Sequence, residues 1–291
     1  KGNRNSSDIV SVGSHGRRSI FVGKGNRGDR VGKGSRGSRV GKGNFGSLSC
    51  SGSIVAESDN NRCRSSFVSE NNDNIHKGGS IRDEVNEITY IRCENLTYAY
   101  GDRQALSRIS FSIHRGEKTA LCGPNGSGKS TLMKIMLGLL TGYGGSLNID
   151  GRELSERNPA AYRSHIAYAP QDPFLFEGTV LENIRIANPH MPEAALAALL
   201  DKLGIGYLAD HQVAPGSGGL SGGEKQKVSI ARACVRDTDF LFLDEPENNL
   251  DKDTLDWLCA FLRESSKTVV FISHDDRLTA CADNVIVLQG C

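Results

Sequence analysis

The stretch Gly123-Pro124-Asn125-Gly126-Ser127-Gly128-Lys129-Ser130-Thr131 places three glycines, a lysine and several hydroxyls within reach of a single anion. The spacing is Gly-x-x-x-x-Gly-Lys-Ser, and each residue type has a physical task in it. Glycines let the backbone curl so that several N–H groups point into one cup. The helix that follows adds the positive end of its dipole. Lys129 offers a point charge to β- and γ-phosphates, and the Ser130 hydroxyl is a hard oxygen ligand for Mg²⁺. A Gly-rich turn before an ordinary helix is the competing reading. The flanks favour the phosphate cup: residues 119–122 read as an apolar strand, and Leu132, Ile135, Met136 and Leu139 recur at helical spacing.

A second group with chemical potential is Asp244-Glu245, which closes the apolar run Phe240-Leu241-Phe242-Leu243. An acid at the end of a buried strand beside a phosphate cup is where a Mg²⁺-organising carboxylate belongs. Glu245 is then placed to orient or deprotonate an attacking water. Without the cup, two acids ending a strand at the surface would be the default.

The elements that must position these groups follow from periodicity. Tyr90 and Ile91 lead into Cys93; Leu96, Tyr98 and Tyr100 then alternate toward a turn at Gly101-Asp102, and Ile109, Phe111 and Ile113 alternate toward Arg115-Gly116-Glu117. These predict short antiparallel strands, with order beginning near Glu87. Strands are also expected at residues 147–149, 166–169, 240–243, 268–272 and 284–288. Helices are expected at 180–186, 192–203, from Ser221 to about Arg236, at about 251–264 and at about 275–281. Ser221 has the look of an N-cap, with Glu224 at the capping-box position. Alternating apolar strands and helices predict an α/β fold with a mainly parallel sheet covered by helices.

Bulk properties narrow the class. The formal net charge of +1 hides a split: residues 1–80 hold 14 Lys/Arg against 6 Asp/Glu, and residues 81–291 hold 21 against 28. Fifteen of the 34 glycines fall in the first part. It contains a repeat opening Val-Gly-Lys-Gly at Val22, Val31 and Val40, too poor in apolar residues to offset ordering entropy. Residues 1–86 are therefore expected to be a low-complexity basic leader without order. Such a tract could bind RNA or an anionic membrane electrostatically, but Phe45 alone in the repeat gives it little stacking capacity, so there is no strong nucleic-acid signal. The eight cysteines form no C-x-x-C pair and no metal spacing, and are expected to be reduced and mostly buried. No apolar run approaches the roughly 18 residues of a membrane span, and the N-terminus lacks a signal-peptide layout. Because the chain begins at Lys1 rather than Met, a fragment is expected.

Leu220-Ser221-Gly222-Gly223-Glu224-Lys225-Gln226 resembles the signature motif of ATP-binding cassette (ABC) ATPases. Tyr100, Gln171, Asn249-Leu250-Asp251 and His274 stand in that family's order, and the resemblance covers about residues 88–291. It implies a P-loop NTPase core with an N-terminal antiparallel β subdomain and an inserted α-helical subdomain at about 172–218, the whole forming a nucleotide-binding domain over 87–291. The cofactors implied are ATP and Mg²⁺. Tyr100 would stack on adenine. Gly123, Asn125, Gly126, Ser127, Gly128, Lys129, Ser130 and Thr131 would bind phosphates, and Ser130, Gln171 and Asp244 would hold the metal. Glu245, His274, Gln171 and Lys129 would carry catalysis. Ser221, Gly222 and Gly223 would act on the γ-phosphate bound by a second, identical or different, nucleotide-binding domain.

The text from Gln171 to Val180, with Glu182-Asn183-Ile184, resembles the exporter branch, where this region contacts transmembrane domains. The implied role is the motor of a transporter exporting a peptide, lipid or drug-like cargo. It would sit in the cytoplasm at the inner face of a membrane. The segment before the signature, residues 212–218, departs from the T-x-V-G-E-x-G of exporters, and Glu247-Asn248 stands where Thr-Ser is common. The family usually continues past the position of Cys291 with another strand and a helix, so a slight truncation is expected. The alternative is a soluble ABC ATPase acting on nucleic acid or ribosomes, with the leader as an electrostatic arm. A non-hydrolysing regulator conflicts with Glu245 and His274.

Overall fold

A computed structural model describes residues 9–12, 18–22, 90–214 and 219–290. The chain opens with strands β1 (Ile9–Val12), β2 (Arg18–Val22), β3 (Tyr90–Tyr100), β4 (Arg103–His114) and β5 (Lys118–Cys122), then helix α1 (Lys129–Met136). Next come β6 (Gly144–Ile149), β7 (Arg152–Glu153), α2 (Pro159–Ser164) and β8 (Ile166–Ala169). A helical stretch follows: β9 (Gly178–Thr179), α3 (Val180–Arg185), α4 (Glu193–Lys202), β10 (Gln212–Val213) and α5 (Gly222–Val235). The last part alternates β11 (Phe240–Asp244), α6 (Lys252–Glu264), β12 (Thr268–Ile272), α7 (Asp276–Thr279) and β13 (Asn284–Leu288).

One sheet has the order β1-β2-β13-β5-β12-β11-β8, parallel throughout except for β1 against β2. Side chains alternate across a strand, so both faces of the central strands need cover. Phe240, Phe242, Val270 and Ile272 face a core shared with α1 and with the antiparallel sheet β4-β3-β6-β7. Leu241, Leu243, Val269 and Phe271 face the opposite core, closed by Leu255, Leu258 and Leu262 of α6 and Leu278 of α7. The expected α/β architecture, with its antiparallel N-terminal sheet, is the one observed.

Three features differ from expectation. β3 is one continuous strand that absorbs register shifts around Asn95, which takes φ 50°. The helical stretch has its own core, and it runs past residue 218: Val228, Ala231 and Val235 of α5 pack with Val180, Ile184, Leu196 and Leu200. α5 is thus shared between this core and the main sheet, because Ile230 and Ala233 on its other side join the α6 core. Finally, the leader is not without order throughout. β2 runs parallel to β13, with Arg18 opposite Asn284 and Val22 opposite Leu288. Its Ile-Phe-Val sequence is of strand-favouring types, and β13 would otherwise present an open edge. The Val-Gly-Lys-Gly repeat beyond Val22, the expected onset of order at Glu87, the loop at 215–218, and Cys50, Cys63 and Cys291 lie outside the described residues. The five described cysteines are free, and no helix among the described residues is long and apolar enough to cross a membrane.

Asp251 ties two of these layers together. Its side chain caps α6 by accepting the Thr254 N–H at 2.8 Å, and it pairs with Lys227 of α5. Those two hydrogen bonds, Lys227 first, hold its carboxyl well below the usual carboxylate range. A depressed acid stabilises the fold above the unfolded value of about 3.9 and loses that contribution as pH falls below it. We expect Asp251→Ala to cost about 0.5–2 kcal/mol at neutral pH, the usual worth of a cap. In urea titrations the gap from the unsubstituted chain should close as pH drops below about 4.

Candidate functional site

Parallel strands end at the same edge of a sheet, and here four neighbours each deliver one functional group to that edge. The order β5-β12-β11-β8 brings the phosphate cup after Cys122, His274 after Ile272, Asp244-Glu245 and Gln171 into a row. Registers such as Asp244 opposite Ile272, and Ile272 opposite Leu121, fix their levels.

The cup is built as its residue types require. A Cβ at Gly123 (φ 138°) would lie 2.3 Å from the Leu288 carbonyl oxygen, and one at Gly128 (φ 96°) 2.5 Å from that of Ala105. Only glycine fits either place, so the loop is seated against β13 and β4. Side chains of Asn158, Thr179, Ser221, Asp251 and Asp275 cap α2, α3, α5, α6 and α7, whereas α1 has neither a capping side chain nor an acid in its first turn. Its first-turn N–H groups are therefore left to an anion. Lys129 is buried, with Nζ donating to the carbonyls of Gly123 at 2.8 Å and Pro124 at 3.0 Å. Asn125, Gly126 and Ser130 are exposed and Thr131 partly so, while Ser127 is buried with no partner for its hydroxyl. Tyr100 stands at the end of β3, 48% exposed, its ring edge-on to Tyr98 at 5.0 Å.

Glu245 is the hub of the acidic end. Its Oε2 accepts from Gln171 Nε2 at 2.6 Å and Asn248 Nδ2 at 2.9 Å, and its Oε1 lies 3.6 Å from His274 Nε2. The residue takes φ 47°, an uncommon conformation for a non-glycine residue that persists only where surroundings impose it. Asp244 is buried; Tyr168 donates its hydroxyl to Oδ2 at 3.4 Å, and Oδ1 has no partner. Burial, then the charge of Glu245, pushes the Asp244 carboxyl up, opposed by Tyr168, Lys134 and Lys129.

The signature residues form a separate group. Ser221 caps α5, its hydroxyl donating to Glu224 Oε2 at 2.7 Å and accepting the Glu224 N–H at 3.3 Å. A Cβ at Gly223 would lie 2.5 Å from the Asn249 carbonyl oxygen, and one at Gly222 3.6 Å from Asn249 Nδ2. This group thus packs on the loop after Glu245. In the sequence Asn248 stands out only as a departure from the family's usual Thr-Ser, and neither Asn248 nor Tyr168 is assigned there to the site. Only the parallel register of β8 on β11, which sets Tyr168 opposite Phe242, brings the second to the site.

Comparison with known proteins identifies the family. Residues 106–248 match the family described as ABC transporter. The chain carries an ABC-family ATPase domain. It is 33% identical over 216 residues to a probable ABC transporter ATP-binding/permease protein of Haemophilus influenzae, an overlap of 71% of this chain and 39% of the relative. It is 39% identical over 210 residues to the mitochondrial iron-sulfur clusters transporter ATM1 of Yarrowia lipolytica, covering 68% of this chain and 29% of that one. Among solved structures, a bacterial Atm1-family ABC exporter with ATP bound aligns with TM-score 0.63 and 29% identity, over 70% of this chain and 38% of that one. The chain thus spans well under half the length of these relatives.

Membership of an ATP-hydrolysing family makes ATP the nucleotide for the cup. The residues of this ABC domain also suit a hard divalent cation. Asp244 Oδ1 is a buried carboxylate oxygen without a partner, and Ser130 and Gln171 add neutral oxygens. Such a set, one carboxylate completed by substrate phosphates, is how Mg²⁺ is usually held.

Proposed function

We propose that the chain is the ATP-hydrolysing motor of an ABC exporter, working as a head-to-tail dimer that encloses two ATP–Mg²⁺. Residues 87–291 would be its nucleotide-binding domain and 1–86 a leader. Lys129, the Gly123–Gly128 backbone and the α1 N-terminus hold the phosphates, Tyr100 stacks on adenine, and Ser130, Asp244 and Gln171 hold the metal. Bound Mg²⁺ would draw charge from the β- and γ-phosphates. Glu245 orients the attacking water and takes its proton, and His274 steadies the γ-phosphate. Ser221, Gly222 and Gly223 supply donors to the partner's ATP. Closure with ATP and opening after hydrolysis is a two-state element biased by one phosphate.

One observation carries the hydrolytic reading: Gln171, Asn248 and His274 converge on Glu245 next to the cup. The transport reading is supported by an apolar platform after Gln171. Phe174 and Phe176 are 62% and 48% exposed and meet edge-to-face at 5.4 Å, with the Arg232 guanidinium 5.8 Å over the Phe176 ring. Two exposed aromatics braced by an arginine suit docking onto a transmembrane domain at the cytoplasmic side. A peptide, lipid or drug-like cargo remains our proposal for what that domain moves. Expression in cells followed by fractionation tests this: the chain should copurify with membranes, and Phe174→Ala with Phe176→Ala should weaken that association. RNA binding that survives about 0.15 M salt, with no membrane partner, would overturn it.

A further inference from the structure

Glu247 stands outside every role assigned above, yet it makes the shortest polar link between the two strand ends that carry Glu245 and His274. Its Oε1 accepts the His274 backbone N–H at 2.7 Å and the Ser273 hydroxyl at 2.8 Å. Ser273 is 3% exposed, and its oxygen in turn accepts the Asp275 N–H at 3.0 Å. A third bond links the same two segments in the opposite sense: the Glu245 N–H donates to the Ile272 carbonyl at 3.0 Å. Together they staple the loop after β11 to the loop after β12.

The staple matters because the His274 side chain, unlike that of Glu245, is not fixed by packing. Half of the His274 side chain is exposed, and its imidazole meets Glu245 only at 3.6 Å. A half-exposed imidazole is aimed by its main chain, and the His274 backbone N–H, together with the Ser273 hydroxyl beside it, is what Glu247 grips. Glu245 sits at a positive φ that its neighbours must impose. Hydrogen bonds to a carboxylate are the stronger kind, so one glutamate oxygen can hold two donors at the tolerance that catalysis needs. The carboxylate itself faces Ser273 and the His274 backbone, not the imidazole.

We propose that Glu247 is a positioning residue for His274, fixing the imidazole against Glu245 by holding the His274 backbone N–H and the neighbouring Ser273 hydroxyl. The inference rests on the reading of Glu245 and His274 as the catalytic pair. A purely structural Glu247 would support folding and nucleotide binding without any special link to His274.

Steady-state ATP turnover of the full chain separates these. Glu247→Ala should lower kcat about 10–100-fold, as loss of alignment does, while KM for ATP moves by no more than about twofold. Glu247→Gln should restore most of that loss, since its amide oxygen can accept from the same two donors. Adding Glu247→Ala to His274→Ala should cost almost nothing more, because the residue acts through the one already removed. Should the alanine variant not fold, Glu247→Met, similar in length and lacking both oxygens, carries the same expectation. Losses that multiply in the double variant, a glutamine variant as slow as alanine, or a fall in ATP affinity matching the fall in kcat would each overturn the inference alone. Unchanged turnover in His274→Ala would overturn the catalytic reading and this inference with it.

Discussion

Glu245→Gln is expected to bind ATP, hydrolyse it about 10²–10⁴-fold more slowly, and accumulate as a dimer with nucleotide between its protomers. The substitution keeps the shape and one carbonyl oxygen, so Gln171 Nε2 and Asn248 Nδ2 still have an acceptor. What it removes is the negative charge and the basic lone pair that would take a proton from water. Glutamine is no less suited than glutamate to the positive φ, so the backbone should hold. The cup, Lys129 and α1 are untouched, and binding should persist. Size-exclusion chromatography with ATP–Mg²⁺, beside a phosphate-release assay, gives both readouts. Turnover at the unsubstituted rate would show that another group activates the water.

The second large effect concerns how the site is shared. Lys129→Ala removes the charge at the cup, and Gly223→Ala forces a Cβ to within 2.5 Å of the Asn249 carbonyl oxygen, displacing the signature from its seat. Each variant alone should be nearly inactive, since both sites of its homodimer are damaged. Mixed, they should recover activity. A mixed dimer pairs the intact cup of the Gly223→Ala chain with the intact signature of the Lys129→Ala chain, leaving one competent site. Phosphate release should rise with the fraction of mixed dimer as the two chains are titrated together. If mixing restores nothing, the signature acts within its own chain and the head-to-tail dimer is wrong.

The sequence made the central α/β body and its chemistry legible because those signals are local. Strands 268–272 and 284–288 are bounded as expected, and Ser221 with Glu224 forms the capping box its spacing implied. The glycines of the cup declare their own geometry. What escaped depends on distant partners. β2 is a short apolar run in a Gly/Arg-rich stretch, and only β13, at the other end of the chain, makes it a strand. The pairing of Tyr168 with Asp244 requires two strands to be aligned in register. α2 left a local trace, Asn158 followed by Pro159, a cap and first-turn pair that a six-residue helix makes easy to overlook.

The seating of Gly123 against Leu288 has a consequence for how the protein is made. The loop and its lysine leave the ribosome well before the strand that walls them in, so the binding cup cannot be completed until residue 288 has emerged. Contacts of such large sequence separation form late. A nascent chain halted before residue 288 would carry the whole phosphate-binding sequence and still hold nucleotide poorly. Ligand binding would then report that synthesis has passed β13, and ATP in the surrounding solution would favour the walled cup over its precursors.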